Sequence, residues 1–328
     1  MKALYTFLLV VFHLSFSSAQ VMHVRDTILM GSRFRITVVD VSEEQAEKNT
    51  NLAIAEMVRI EELISDWKST SQISQVNQDA GKQAVAVDQE VLELTQRAIQ
   101  YSKITDGAFD ISFAAMERIW KFDGSMDILP TEVEIQQAIR NVGFQNIQID
   151  TMHQTLFLTK EGMKIGFGSI GKGYAADRAR LLLKELGVLA GIVDASGDIS
   201  SFGTQINGKP WRFGITNPFE IDDYAAIISL TNGSVTTSGD YQKFIFIGGT
   251  RYSHIINPKT GWPSTGLTGV TIMGPSAEVA NAFSTSIMIL GVKKGKALLK
   301  NYPEYSGLFI TDKGKIIKTK NFEQKIKY

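Results

Sequence analysis

Apolar and polar residues alternate in the stretch "TILMGSRFRITVVD", which spans residues 27–40. Alternation with a period of two is typical of half-buried strands, and Gly31 stands near the middle as a turn residue. The pattern therefore predicts two strands that pair across a bend at Gly31.

Helices are predicted where apolar residues recur at three- and four-residue spacing behind a helix start signal. Two of the starts are capping-box pairs, in which a Ser or Thr precedes a Gln or Glu by three positions. We predict helices that begin after Ser42 (with Gln45), after Asp88 and after Thr131 (with Glu134), and helices from Gly173 to Leu186 and from Ser276 through Leu290.

The stretch from Trp211 to Ile256 has mostly the period of strands, and "GLFITDKGKIIKT" near the end predicts a closing hairpin. Helices and strands are mixed along the chain but do not alternate strictly. This order favours an α+β fold over a doubly wound sheet. The chain contains no repeat, Pro-rich linker or low-complexity segment, so we predict a single compact unit.

The charge of the chain limits its partners. Basic and acidic side chains are equal in number, 34 of each among 328 residues. Proteins that bind nucleic acids normally carry a basic surface, so no nucleic-acid partner is expected. The length is sufficient to bury a large core, as in an ordinary enzyme or binding protein.

The first residues, "MKALYTFLLVVFHLSFSSAQ", have the layout of a secretory signal. Lys2 gives a positive start, an apolar run extends to Phe16, and small residues end at Ala19. The alternative is a membrane anchor, but the apolar run is shorter than the roughly 20 residues that a bilayer requires. We predict a signal peptide over residues 1–19 and export of the remainder. The chain has no cysteine, so neither disulfides nor a lipidated cysteine can contribute.

The motif "KIGFGSIGKGYAAD" contains Gly166, Gly168 and Gly171 in the pattern G-x-G-x-x-G. Such a loop lets backbone N–H groups approach a pyrophosphate at a helix N-terminus, and Lys172 can add a charge. A dinucleotide-binding fold with Asp194 as ribose ligand is one interpretation. The motif lies in mid-chain without a series of βα units, which supports only the narrower reading of a phosphate site.

In "AEVANAFSTSIM", Asn281 and Thr285 lie four residues apart and therefore share one face of the predicted helix. Two oxygens at this spacing can serve a hard cation such as Mg²⁺. Local hydrogen bonding is the alternative. A functional and a structural interpretation are also possible for "TDGAFDIS". Phe109 and Asp110 could line a flat ring, or they could form a core contact and an Asx turn. The same two interpretations apply to His254 in "YSHIINPKTGWP", either a strand residue or a general base.

The order and spacing of these segments together resemble the ApbE family, the FAD:protein FMN transferases. The resemblance runs from about Met30 to Gly291. It is carried, in family order, by "MGSRFRI", "SDWKSTSQISQVN", "TDGAFDIS", "GSIGKGYAADRA", "VDASGDISSFG", "SVTTSGDYQKF", "RYSHIINPKTGWP" and "ANAFSTSIMILG".

The resemblance implies one domain over residues 20–328, with an α+β fold of mixed sheets and packed helices related to the T-fold. It implies that FMN is passed from FAD to a Thr or Ser hydroxyl of an acceptor redox protein, with Mg²⁺, and that AMP is released. It further implies action in the periplasm or at the outer face of the cytoplasmic membrane, with peripheral membrane association but no stable span.

The resemblance also assigns roles to individual residues. His254 matches the base that deprotonates the acceptor hydroxyl. The positions that match metal ligands are Ser169, Asn281 and Thr285. The positions that match FAD contacts are Met30, Trp67, Ala108, Phe109, Asp110, Lys172 and Ile255.

Three residues depart from the family pattern. Asn281 and Asn257 stand where Asp is usual, and Gly166 stands where a carboxylate is usual. A neutral amide at residue 281 is expected to weaken Mg²⁺ binding, because Mg²⁺ has few protein ligands. Two alternatives to an active transferase therefore stay open: a protein that binds FAD without processing it, and an FAD pyrophosphatase.

Overall fold

The computed structural model describes residues 20–220, 223–240 and 243–323. The signal peptide predicted at residues 1–19 lies outside the described residues. None of the helices in this described part of the chain combines the length and the apolar character needed to cross a membrane.

The helices are described first, in chain order. They are α1 (Glu43–Ile64), α2 (Gln72–Gln78), α3 (Gln89–Ile104), α4 (Glu132–Ala138), α5 (Gly171–Glu185), α6 (Ala277–Lys300) and α7 (Lys320–Glu323), with short 3₁₀ helices at Ile111–Ala115 and Phe144–Asn146.

The strands follow in the same order. They are β1 (Val21–Leu29), β2 (Ser32–Asp40), β3 (Val85–Ala86), β4 (Ile147–Asp150), β5 (Thr155–Leu158), β6 (Ala190–Ala195), β7 (Asp198–Phe202), β8 (Trp211–Thr216), β9 (Tyr224–Leu230), β10 (Asn232–Gly239), β11 (Phe244–Ile247), β12 (Thr250–Ser253), β13 (Leu267–Gly274), β14 (Ser306–Thr311) and β15 (Ile316–Lys318).

Eight strands form one sheet in the order β1-β2-β6-β7-β10-β13-β14-β15, and each neighbouring pair is antiparallel. Smaller sheets are formed by β3-β5-β4, β8-β9 and β11-β12. A sheet of this kind cannot be a dinucleotide-binding fold, which needs parallel strands joined by crossover helices. The α+β prediction is confirmed.

Both faces of the large sheet are covered. Alternate side chains of a strand point to opposite faces, and β13 shows the consequence: Ile272 packs in a cluster with Phe283 of α6, whereas Met273 packs in a cluster with Ile228 of β9. Every residue of β13 up to Met273 is buried. Helix α5 contacts both α1 and α6, and all three helices pack on the large sheet in the layer that lies beside the site.

Local sequence signals correctly placed several element boundaries. The side chain of Ser42 accepts a hydrogen bond from the backbone of Gln45 at 3.2 Å, and Thr131 with Glu134 forms the full reciprocal capping box. Met30 and Gly31 form the bend between β1 and β2, with φ angles of 48° and 67°. Positive φ at both positions is the twist that suits a two-residue hairpin.

The late helix breaks at the predicted place, because Gly291, which follows Leu290, has non-helical angles (φ 73°, ψ 175°); helical structure then resumes and runs to Lys300. One predicted boundary was wrong. His254 does not lie in a strand, because β12 ends at Ser253. Local periodicity does not distinguish the last strand residue from the first loop residue.

Candidate active site

A cavity of about 350 Å³ opens between the loop before α5, the end of β10, the loop after β12 and one face of α6. This volume is within the range of small-molecule sites. The cavity brings together most of the residues predicted from the sequence, namely Ala108, Phe109, Asp110, Ser169, Lys172, His254, Ile255, Asn281 and Thr285.

The remaining two predicted residues, Met30 and Trp67, line a second cavity beside the first. The two cavities share Gly168 and Lys172 at their boundary. Trp67 keeps 59% of its surface exposed, so its ring is available at the mouth of the second cavity. The two cavities form an elongated site that passes the N-terminus of α5.

The glycines before and within the first turn of α5 have different structural roles. A Cβ atom on Gly168 would meet nothing within 4 Å, so the backbone there faces open space. A Cβ on Gly171 would lie 3.0 Å from Ile64, and a Cβ on Gly173 would lie 2.6 Å from the carbonyl oxygen of Ala277. Gly171 and Gly173 thus permit α5 to pack closely on α1 and α6, and Gly168 leaves the helix N-terminus accessible to an anion.

The space beside Gly166 already contains a carboxylate. A Cβ atom on Gly166 would lie 2.8 Å from Oδ2 of Asp66 and 3.2 Å from the Cβ of Ala114. Asp66 also lines the second cavity, next to Trp67. At Gly166, where the family pattern has a carboxylate, the neighbouring space is thus occupied by the carboxylate of Asp66.

Asn281 and Thr285 lie one turn apart on α6 and both line the first cavity. Asn281 is buried, with 7% of its surface exposed. The hydroxyl of Thr285 lies 3.2 Å from that of Ser238 on β10, and Ser238 also hydrogen bonds to Ser284 at 2.8 Å. These contacts hold α6 against the end of β10.

Asp198, which was not singled out from the sequence, is the first residue of β7 and lines the same cavity. Its Oδ2 lies 3.3 Å from Nζ of Lys172 and accepts no hydrogen bond from the described residues. Burial raises the pKa of Asp198 to about 6, although Lys172 and Asn281 act in the opposite direction. The signal in the sequence that could have identified Asp198 is its position directly after Ser196 and Gly197. These two residues have positive φ angles and form the tight turn between β6 and β7.

The oxygens of this cavity suit a hard cation. No group of three or more His, Asp or Glu side chains within the described ranges is arranged to hold a metal ion. The lining includes two carboxylates, Asp110 and Asp198, and both oxygens of Asp110 already accept hydrogen bonds. The further donors are the amide of Asn281 and the hydroxyls of Thr285 and Ser169. Oxygen donors with few anionic groups are the ligands that Mg²⁺ uses when phosphates complete its shell.

Phe109 and Asp110 are held mainly by structural contacts. Phe109 is 1% exposed and packs edge-on against Tyr101. One oxygen of Asp110 accepts hydrogen bonds from the backbone and hydroxyl of Ser112, and the other accepts one from the backbone of Phe144. Burial raises the pKa of Asp110. The Asx turn and the core contact weighed from the sequence are both present, and they fix the cavity wall.

His254 lines the cavity with its ring half-buried. Its Nδ1 lies 3.1 Å from the carbonyl oxygen of Lys243, and the ring of Phe122 packs edge-on at 6.4 Å. Burial lowers the pKa of His254 below its usual value of 6.5. These conditions favour a neutral imidazole, the form that can accept a proton.

The neighbouring hairpin and turn support His254. Arg251 on β12 forms an ion pair at 2.9 Å with buried Asp240 and stacks over Phe244. In the turn after His254, Oδ1 of Asn257 accepts a hydrogen bond from the backbone of Lys259 at 3.0 Å. An amide oxygen meets this requirement as well as a carboxylate does, so the departure at Asn257 is confined to the turn.

Comparison with known proteins gives consistent matches. The model of the ApbE family matches residues 30–309. An FAD:protein FMN transferase of Klebsiella pneumoniae is 30% identical over 293 residues, which cover 88% of this chain and 89% of the relative.

Solved structures agree with these matches. The ApbE protein of Thermotoga maritima superposes with a TM-score of 0.82 at 29% identity, covering 94% of this chain and 100% of the other. The flavinyl transferase ApbE of Pseudomonas stutzeri, in its apo form, superposes with a TM-score of 0.82 at 28% identity, covering 94% and 97% of the two chains.

Proposed function

The chain belongs to the ApbE family, and we propose on this basis that it is an FAD:protein FMN transferase. The proposed reaction moves FMN from FAD to a Thr or Ser hydroxyl of an acceptor redox protein, uses Mg²⁺ and releases AMP. The observation that carries the proposal is the convergence of the predicted base, phosphate and metal positions on one elongated site.

FAD would extend across both cavities. Met30 and Trp67 would contact the dinucleotide in the second cavity, and Ala108, Phe109, Asp110 and Ile255 would do so in the first. The pyrophosphate would lie where the cavities meet, at the N-terminus of α5. There the helix dipole and the ammonium of Lys172 both favour negative charge.

Mg²⁺ would be held by Ser169, Asn281 and Thr285, and when bound it would neutralise charge on the pyrophosphate. The two α6 side chains are placed for this task because residues four apart lie on the same face of the helix. Burial of Asn281 fixes its amide at the cavity wall. The protein thus contributes preset oxygen donors.

His254 would remove the proton from the acceptor hydroxyl. A Thr or Ser hydroxyl is a weak nucleophile until a neighbouring base takes its proton. The Lys243 carbonyl can only accept a hydrogen bond, so Nδ1 of His254 is the protonated nitrogen and Nε2 keeps its lone pair. The freed oxygen would attack the flavin-side phosphorus, form the phosphoester and displace AMP.

The site of action is proposed from the leader. Residues 1–19 would direct export to the periplasm or the outer face of the cytoplasmic membrane, and residues 20–328 would form a single transferase domain with at most peripheral membrane association. The family match over residues 30–309 supports the domain extent. N-terminal sequencing of protein recovered from the periplasm tests the cleavage site, and an intact residue 1 would contradict it.

The test of function is an incubation of the purified protein with FAD, Mg²⁺ and a redox subunit that has Thr at its flavin site. We expect a fluorescent subunit band on a denaturing gel and an equal amount of AMP. The same subunit with Thr→Ala is the matched control and stays dark. Tight FAD binding without labelling or AMP would identify a flavin-binding protein, and AMP without labelling would identify a pyrophosphatase.

A further inference from the structure

Asp198 is a buried carboxylate that has too few partners for its surroundings. It is 4% exposed, and strand pairing places it between Ala195 of β6 and Thr236 of β10. Its Oδ2 forms an ion pair at 3.3 Å with the ammonium of Lys172, and no other described residue donates a hydrogen bond to this oxygen. Burial of a charge without full compensation is costly, so such a group usually serves a cation or a reaction.

This carboxylate lies in the same cavity as residue 281 of α6, where the usual acidic metal ligand is missing. Asp198 lines the same cavity as Asn281, Thr285 and Ser169. Asn281 lies close enough to lower the pKa of Asp198. The amide that replaces the usual acidic ligand therefore has a carboxylate beside it, supplied by β7.

We propose that Asp198 is the anionic protein ligand of the divalent cation in this site, in place of the acidic group that residue 281 lacks. The inference rests on the proposed function, since that function brings the cation and the pyrophosphate to this cavity. Mg²⁺ is commonly held through one or two carboxylates together with substrate phosphates. Asp198 gives the site such a carboxylate, whereas the donors Ser169, Asn281 and Thr285 are neutral. Asp110 also lines the cavity, but both of its oxygens already accept hydrogen bonds.

The competing explanation is that Asp198 only orients Lys172. The two explanations differ in what Asp198→Asn changes. A ligand role predicts weaker metal binding and a metal-free protein at least as stable as the unchanged one, because a buried, poorly paired charge has been removed. An orienting role predicts weaker FAD binding, unchanged metal binding and a lower melting temperature.

The probe is Mn²⁺, titrated into protein saturated with FAD. Bound Mn²⁺ is measured from the loss of the free-ion EPR signal, and a titration of FAD alone is subtracted. We expect Asp198→Asn to weaken Mn²⁺ binding at least about tenfold. Mutation of residues that only hydrogen bond to metal ligands already lowers metal affinity ten- to hundredfold. Asp194→Asn is the matched control, because Asp194 lies nearby on β6 outside the cavity lining. We expect a change within about twofold for this control.

Equal Mn²⁺ affinity in the Asp198→Asn variant and the unchanged protein would overturn the proposal, as would equal weakening by Asp194→Asn. Absence of protein-dependent Mn²⁺ binding in the unchanged protein would overturn it too. Asp198→Ser repeats the test if the Asn variant is unstable. The titration needs no acceptor protein, so a failure of flavin transfer in the labelling assay is distinguished from a failure of Asp198 to bind metal.

Discussion

Nδ1 of His254 lies 3.1 Å from the carbonyl oxygen of Lys243, and the same carbonyl accepts the backbone N–H of His254 at 3.1 Å. A carbonyl oxygen cannot donate, so the ring proton must sit on Nδ1. The contact therefore fixes the tautomer in which Nε2 is free to accept a proton. In the proposed reaction, the ability of His254 to act as the base therefore depends on a backbone atom of a neighbouring segment.

Replacement of His254 by Ala should slow flavin transfer by a factor on the order of 10²–10⁴, the usual contribution of a general base. FAD affinity should change little, because the cavity walls remain. Single-turnover labelling gives the rate, and quenching of flavin fluorescence gives the affinity. His153→Ala, at an exposed histidine, is the matched control. Transfer at the unchanged rate would remove His254 from the mechanism.

The rate of transfer should fall at low pH with a midpoint below pH 6.5. Burial lowers the pKa of His254, so the neutral base persists below the pH at which a free histidine becomes charged. The unfolded chain binds this proton more readily, so the same shift costs stability as the pH falls below 6.5. Single-turnover rates between about pH 5 and 8 give the midpoint.

The variant Phe122→Ala tests whether burial of the His254 ring sets the midpoint of this pH dependence. Phe122 packs edge-on against the His254 ring, and its removal admits water. The midpoint should then move upward toward 6.5, since less burial means less cost for the charged ring. An unmoved midpoint would show that another group than buried His254 controls the rate.

Elements that depend on near neighbours were predictable from the sequence. The bend at Gly31 and the capping box at Thr131 each involve residues within a few positions, so local patterns contain the necessary information. The sheet order was not predictable in this way. β2 pairs with β6, and more than half of the helices that the structure describes lie between these two strands in the sequence. Such pairing depends on tertiary packing, which periodicity does not report.

The same division applies to the site. His254, Asn281 and Thr285 were selected by the ordered resemblance, although each alone was as well explained by a turn or a helix face. Asp198 and Asp66 were missed because what distinguishes them is tertiary. Burial without a hydrogen bond distinguishes Asp198, and proximity to Gly166, about a hundred positions away, distinguishes Asp66.

Moving the acidic group from residue 66 to residue 166, by combining Asp66→Ala with Gly166→Asp, should reduce FAD affinity less than either substitution alone. Asp66→Ala removes a hydrogen-bond acceptor from the cavity proposed for FAD and should weaken FAD binding about fivefold, the contribution of roughly one hydrogen bond. Gly166→Asp places a second carboxylate against the first, which forces Asp66 away. The double variant restores a single carboxylate and should bind FAD more tightly than either single variant. Additive losses in fluorescence titrations would contradict this relationship.

Asn281→Asp should make stability depend on metal. The new carboxylate would lie beside Asp198, and two buried like charges repel one another unless a cation lies between them. The melting temperature without metal should therefore fall, and Mg²⁺ should raise it more than in the unchanged protein. The Mg²⁺ concentration for half-maximal transfer should fall as well. Asn232→Asp, at an exposed end of β10, makes the same chemical change as a control. An Mg²⁺-insensitive melting temperature would show that residue 281 does not face the metal.

Replacement by alanine should lower stability at Gly173 and FAD affinity at Gly168. A Cβ on Gly173 would lie 2.6 Å from the carbonyl oxygen of Ala277 and 3.0 Å from the backbone nitrogen of Glu278, so α5 and α6 must separate. Overpacking of this kind costs about 1–3 kcal/mol, which should appear as a lower melting temperature. A Cβ on Gly168 meets no protein atom within 4 Å and instead enters the cavity boundary. Gly168→Ala should therefore leave the melting temperature unchanged and weaken FAD binding. If Gly168→Ala destabilised the protein while FAD affinity stayed the same, the loop would be a packing element and the pyrophosphate would have to bind elsewhere.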